Sequence, residues 1–172
     1  MPRKLLKNIR EFLNVWQNMT EFNYIDIEIM EKMCHPIAMA LFDSKEDPIV
    51  KFSDHELSLL DSALNNPKQT FNGKELYPTL IKKTAILYYC LIKNHPFKNG
   101  NKRMATASLF TFLYINNHWL ELEGSVREVE DYLVETAIKV ANSKSSEKDS
   151  ILAGLENWLG KHIVSEPEKQ DP

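Results

Sequence analysis

Within nine residues the chain carries an imidazole, two side-chain amides, a glycine and a lysine–arginine pair: His95-Pro96-Phe97-Lys98-Asn99-Gly100-Asn101-Lys102-Arg103. An imidazole with an ordinary pKa near ~6.5 is mostly unprotonated at neutral pH, so His95 is suited to take a proton from a hydroxyl. Arg103 can fork onto two phosphate oxygens, and Lys102 adds a point charge. Gly100 can take a positive φ and lets a ligand approach the backbone closely. If a helix begins just after it, the first N–H groups lack intrahelical partners and carry roughly half a positive charge between them. The segment therefore reads as an anion pocket on a helix N-terminus with a titratable base beside it. Taken singly, each residue has a plainer use. A histidine before proline usually ends a helix or lies on the surface, a Lys-Arg pair is usually solvated, and Phe97 belongs in a core. A loop between two helices needs only turn chemistry, so it is the order of these residues together that points to function.

The flanking stretches supply the two helices. Leu80, Ile81, Thr84, Leu87, Tyr88, Leu91 and Ile92 fall on one helical face, and Pro96 stops that helix near Asn94. Residues 103–115 are apolar nearly all round, which predicts a helix buried at the centre of a bundle. Elsewhere helical periods dominate. Leu5, Leu6, Ile9, Phe12, Leu13 and Trp16 form one stripe, and a helix beginning near Tyr24 is expected to break before Pro36, with a short one over 37–42. Ser53-Asp54-His55-Glu56 and Ser125-Val126-Arg127-Glu128 read as capping boxes, opening helices to about Asn66 and through Val140. The second of these helices turns Val126, Val129, Leu133, Ala137 and Val140 inward. A last helix covers about 146–162. Asn72-Gly73 between short polar–apolar stretches is a hairpin signal.

The fold class expected is all-α, a helical bundle with one small β-hairpin. Residues 1–22 form an amphipathic helix, 23–163 the domain and 164–172 a flexible tail. The 172 residues are enough for one domain, and 43% hydrophobic with 26% charged residues is a globular balance, not a disordered one. A net charge of -3 gives no reason to expect DNA binding. Two cysteines, Cys34 and Cys90, without CxxC spacing suggest neither a disulfide framework nor a zinc finger. Cys34-His35 has no partner at ligand spacing, so a buried thiol is expected there. The run 85–92 is too short to span a bilayer, and the basic first residues lack a secretory apolar segment. The expected location is cytoplasmic, with no membrane partner. Phe110 to Tyr114 is read as core, and Trp119 and Trp158 as packing at helix ends.

The segment 95–103 resembles the Fic/Doc signature, HxFx[D/E]xN[G/K]R, and Lys102 next to Arg103 is similar to the Doc (death-on-curing) branch. Residues 67–78 resemble the flap that precedes the motif helix in that family, and the Asn116-Asn117 turn after the second helix also matches. The resemblance spans about 28–162 and is strongest over 67–119. It implies a Fido-like bundle and ATP-dependent transfer of AMP or phosphate to a Ser, Thr or Tyr hydroxyl of a protein. Doc itself transfers phosphate to elongation factor Tu and blocks translation. His95 would be the general base, with Asn99, Gly100, Asn101, Lys102 and Arg103 around the nucleotide phosphates. Phe97 would anchor the loop, and Thr70, Phe71, Asn72 and Gly73 would form the flap that pairs with the target by strand addition.

Two positions depart from the family pattern. Asn99 stands where the family has its acidic Mg²⁺ ligand, and an amide offers the geometry without the charge. Gly100 is typical of AMP transfer and Lys102 of phosphate transfer, so both reactions stay open. A catalytically weak module, acting as a regulatory or binding protein, is the alternative that Asn99 raises. The family's inhibitory pattern [S/T]xxxE[G/N] is not met, because Ser143 to Glu147 is followed by Lys148. The resemblance then implies an antitoxin acting in trans, as for Doc, while 143–149 reads as a capped, solvated loop.

Overall fold

The computed structural model describes residues 22–121 and 126–165. The expected first helix, the Ser125 cap and the end of the expected tail lie outside the described residues. The architecture is all-α with the one small hairpin that the sequence predicts, and with a second two-stranded sheet that it does not. Its centre is the pair α4 (Leu80–Asn94) and α5 (Asn101–Ile115). Every residue from Lys83 to Ile92 is buried, and α5 buries Met104, Ala105, Ala107, Ser108, Leu109, Thr111, Phe112 and Leu113. A helix apolar all round has no face to give to water, which is why α5 takes the middle.

Around this pair lie α1 (Ile27–Ile29), α2 (His35–Phe42), α3 (Leu57–Asn65), α6 (Val126–Asn142) and α7 (Lys148–His162). α6 turns Val129, Leu133, Ala137 and Val140 into the core. Tyr88 from α4 donates its hydroxyl to the Leu133 carbonyl at 2.7 Å, so its one polar atom is satisfied in the interior. Trp158 on α7 stacks on Tyr132 (4.3 Å between centroids) and on His162. Trp119 instead stays 40% exposed, as does Tyr114 at 37%.

Three local expectations are corrected. The chain does not break at Pro36: α1 continues into α2 through a π-helical turn, Met30–Cys34, in which the His35 N–H donates to the Met30 carbonyl. Proline cannot donate to the residue four before it and clashes with that carbonyl. A wider turn just upstream lets the helix carry it. The Ser53–Glu56 capping box does not form. Phe52–Asp54 is a 3₁₀ turn, His55 bridges to Phe97, and α3 starts after Glu56 with no side-chain cap. Finally, Val164 and Ser165, read as tail, belong to a strand, β4 (Ile163–Ser165), antiparallel to β3 (His118–Leu120), with Trp119 opposite Val164.

The hairpin is where Asn72-Gly73 puts it. β1 (Thr70–Phe71) and β2 (Lys74–Glu75) pair with Phe71 opposite Lys74. Asn72 (φ 49°) and Gly73 (φ 74°) both take the left-handed conformation that a two-residue turn matched to strand twist requires.

Candidate functional site

Six residues separate the two central helices, and both ends of that loop are left-handed. His95 closes α4 at φ 52°, ψ 52°, and Gly100 opens α5 at φ 85°. Glycine takes this conformation without cost, but a histidine before a proline is pushed toward extended backbone, so His95 is held against its local preference. Other contacts of the loop fix it. The Glu56 N–H donates to the Pro96 carbonyl at 2.7 Å, and His55 pairs with Phe97 as an isolated bridge. Phe97 is 2% exposed and packs against Phe52 and His55, with ring centroids 6.0 and 6.1 Å away. Its side chain anchors the loop while His95 stays exposed. The imidazole of His95 makes no hydrogen bond to any described residue.

Asn101 is buried, and both polar atoms of its amide are spent on Phe97. Oδ1 accepts the Phe97 N–H at 2.8 Å, and Nδ2 donates to the Phe97 carbonyl at 2.5 Å. It therefore ties the loop closed across its own turn and holds the backbone at the start of α5 in place. Gly100 caps α5 without a side chain. A Cβ added there would lie 3.3 Å from two Ile49 carbons, so its openness is filled by Ile49 from the loop 43–51. Lys102 points to solvent, whereas the Arg103 side chain is only 18% exposed. The flap residues Thr70, Phe71, Asn72 and Gly73 are all exposed.

Asn99 and Arg103 meet at Asp47, a residue that no spacing in the sequence marks. The Asn99 amide donates to Asp47 Oδ1 at 2.7 Å and to the Pro48 carbonyl at 2.9 Å, and its own Oδ1 accepts the Gly100 N–H at 2.8 Å. Arg103 Nη2 pairs with Asp47 Oδ2 at 3.0 Å, while Nη1 donates to the Asp47 carbonyl and, at 3.4 Å, to that of Phe42. The guanidinium is thus already occupied, with Nη2 on one carboxylate oxygen and Nη1 on two backbone carbonyls.

A Mg²⁺ ion needs several free oxygen ligands, preferably anionic. Here the Asn99 oxygen is engaged by Gly100, and the Asp47 carboxylate is shared between Asn99 and Arg103. No group of three His, Cys, Asp or Glu side chains able to hold a metal exists among the described residues. The arrangement as it stands does not fit the ion. Both thiols are buried, and burial pushes Cys34 and Cys90 up to about 11, so neither is a nucleophile at neutral pH.

The flap is anchored from below. Lys83 on α4 is fully buried, yet its ammonium donates to the Pro67 carbonyl and to Glu75 Oε1, both at 3.1 Å. The rings of Phe22 and Tyr24 lie 5.1 and 5.4 Å from it. Lys83 stands between Lys82 and Thr84, ahead of the apolar run 85–92, so residue type alone does not mark this anchor.

An all-α bundle whose two central helices are joined by a histidine-led, glycine-capped loop, and whose chain also carries a short hairpin held by the first of those helices, defines a class. The chain belongs to the Fic/DOC family, whose sequence profile matches residues 14–113. Members of that family are nucleotide-transferring enzymes. The chain is also 38% identical over 100 residues to the protein named Toxin Doc of Mycolicibacterium smegmatis, covering 58% of this chain and 73% of that one. No solved structure matches it.

Proposed function

We propose that this protein is a Doc-like toxin that transfers part of ATP, a phosphate or AMP, to a Ser, Thr or Tyr hydroxyl of a protein. The observation that carries the reading is the loop between α4 and α5, which holds an exposed His95 at one end and the N-terminus of α5, uncapped by any side chain, with Arg103 at the other. His95 would take the proton of the target hydroxyl as its oxygen bonds to phosphorus. The displaced part of the nucleotide would leave with the electron pair of the broken P–O bond. Arg103 and the first N–H groups of α5 would hold the phosphates, and the hairpin would present the target segment. Resemblance to a toxin of this branch supports a translation factor as the class of target and an antitoxin as partner in trans, both in the cytoplasm. No described helix is long and apolar enough to cross a membrane.

The test is a lysate incubated with purified protein and either α- or γ-labelled ATP, with His95→Ala as control. Label from one position on a protein band, lost in folded His95→Ala, is the expected result and identifies the moiety transferred. Removing a general base typically costs roughly a hundredfold or more, so transfer persisting in the folded variant would overturn the role of His95. A second reading has Asn99 in its favour: a nucleotide- or peptide-binding module with little turnover. It predicts ATP binding without label transfer.

A further inference from the structure

We propose that Asp47 is an internal ligand of the anion seat, holding the Arg103 guanidinium until a polyphosphate displaces it. The inference rests on the reading of Arg103 as the phosphate-binding residue. Two contacts converge on this one side chain, the ion pair to Arg103 Nη2 at 3.0 Å and the Asn99 amide at 2.7 Å, and a third, from Arg103 Nη1, reaches the backbone carbonyl of the same residue. Arg103 spends Nη2 on one Asp47 carboxylate oxygen and Nη1 on backbone carbonyls, and a polyphosphate would use the same two nitrogens, so they serve one set of acceptors or the other.

The two partners differ in how free they are to move. Arg103 stands on the buried helix α5 with its side chain 18% exposed, whereas Asp47 is 65% exposed on a loop. That loop is shaped by its own short-range bonds. Asp43 Oδ1 accepts the Ile49 N–H at 2.7 Å, and Ser44 Oγ accepts the Asp47 N–H at 3.1 Å. Its far end is fixed, because Ile49 is 6% exposed and seated against Gly100. The tip 44–48 can therefore lift while Ile49 stays in the core. A triphosphate brings more charge and more acceptor oxygens than one carboxylate and wins the exchange, whereas a monoanion does not. The seat is thereby biased toward polyphosphates.

An occupied seat lowers apparent affinity by the fraction of time that it is free. For an ion pair this exposed, the penalty is about two- to fivefold. Calorimetry in metal-free buffer would compare ATP and inorganic tripolyphosphate on wild type, Asp47→Asn, Arg103→Ala and the double variant, with thermal unfolding to confirm folding. Asp47→Asn keeps the size of the side chain and an oxygen for the Asn99 amide, and Asp47→Ser serves if that variant misfolds. The expected result is about two- to fivefold tighter binding in Asp47→Asn, with no such gain in the Arg103→Ala background. Unchanged or weaker binding in Asp47→Asn overturns the proposal, as does a gain that survives Arg103→Ala. If wild type and Asp47→Asn bind ATP equally well, the proposal falls and the nucleotide reading stands. If Asp47→Asn gains tripolyphosphate binding but no form binds ATP, the proposal stands and the nucleotide reading falls. If no form binds either probe, both fall.

Discussion

At position 99 an amide donates to Asp47 and Pro48 where a carboxylate would repel the first and lose both bonds. Asn99→Asp should therefore do two things at once. Without divalent ions it sets two carboxylates face to face and removes two donors, costing about 1–2 kcal/mol of stability. With millimolar Mg²⁺ the facing carboxylates become the anionic oxygen pair that wild type lacks. Thermal unfolding should show a lower midpoint in Asn99→Asp, restored by Mg²⁺, with no Mg²⁺ effect in wild type. In the labelled-ATP assay, even ~1.4 kcal/mol of extra transition-state stabilisation is tenfold in rate. No Mg²⁺-dependent shift in the variant would place the metal elsewhere. His95, Phe97, Gly100 and Arg103 were legible because they share one short segment, where residue type and order carry the meaning. Asp47 was not, because it reaches Asn99 and Arg103 from more than fifty residues upstream, on a polar loop with no period. Asn101 was expected to face the nucleotide phosphates, whereas both polar atoms of its amide are bonded back onto Phe97.

The hairpin shows how an element can be found from two residues while its mounting is not. Asn72-Gly73 set the turn, and the register follows from it. The Leu76 N–H donates to the Gln69 carbonyl at 2.9 Å, so by antiparallel alternation the Thr70–Glu75 pair is the one whose N–H and C=O groups point away from the hairpin. Thr70→Pro should then delete an outward donor while sparing the ladder inside. Label transfer to protein should fall by about tenfold or more while ATP affinity stays within twofold, since one edge hydrogen bond and its strand geometry are lost. Equal loss of both would mean the loop no longer folds. The mounting is Lys83, which holds Glu75 from the core. Lys83→Met fills a similar volume and leaves Glu75, 43% exposed, to water, but the Pro67 carbonyl loses its donor, so a cost of about 1–3 kcal/mol is expected. The hairpin itself should loosen. Hydrogen exchange at the Leu76 amide should speed by about tenfold while α4 amides stay protected, and unchanged exchange at Leu76 would show that the flap does not depend on Lys83. Helix α2 teaches a related lesson. Proline 36 predicted a break, but a π-helical turn upstream absorbs it, and such turns leave no signature in residue type.

For the molecule as a whole, α4 and α5 carry both the core and the loop that bears the site, so alkaline titration of buried groups is a probe of the entire fold. Cys34 lies in the π-helical turn before α2 and Cys90 in α4, and burial raises both to about 11 from an ordinary value of 9.0. A thiol raised in the folded state keeps its proton there longer than in the unfolded chain. Its contribution is therefore fully present below pH 9 and is lost as pH climbs from 9 through 11. At pH 10 each thiol should have given up about 1 kcal/mol, and the two together about 2–3 kcal/mol. Burial also raises the Tyr88 phenol, which adds to the loss only at still higher pH. Urea unfolding under reducing conditions at pH 7.5, 9 and 10 should show this fall in wild type. The Cys34→Ala, Cys90→Ala double variant starts lower because of the small cavities it leaves, but its curve should be flatter by about the same 2–3 kcal/mol. Parallel pH curves for the two proteins would mean that the thiols reach water in the native state, and that the packing between the π-helical turn and the central helix pair is looser than the structure shows.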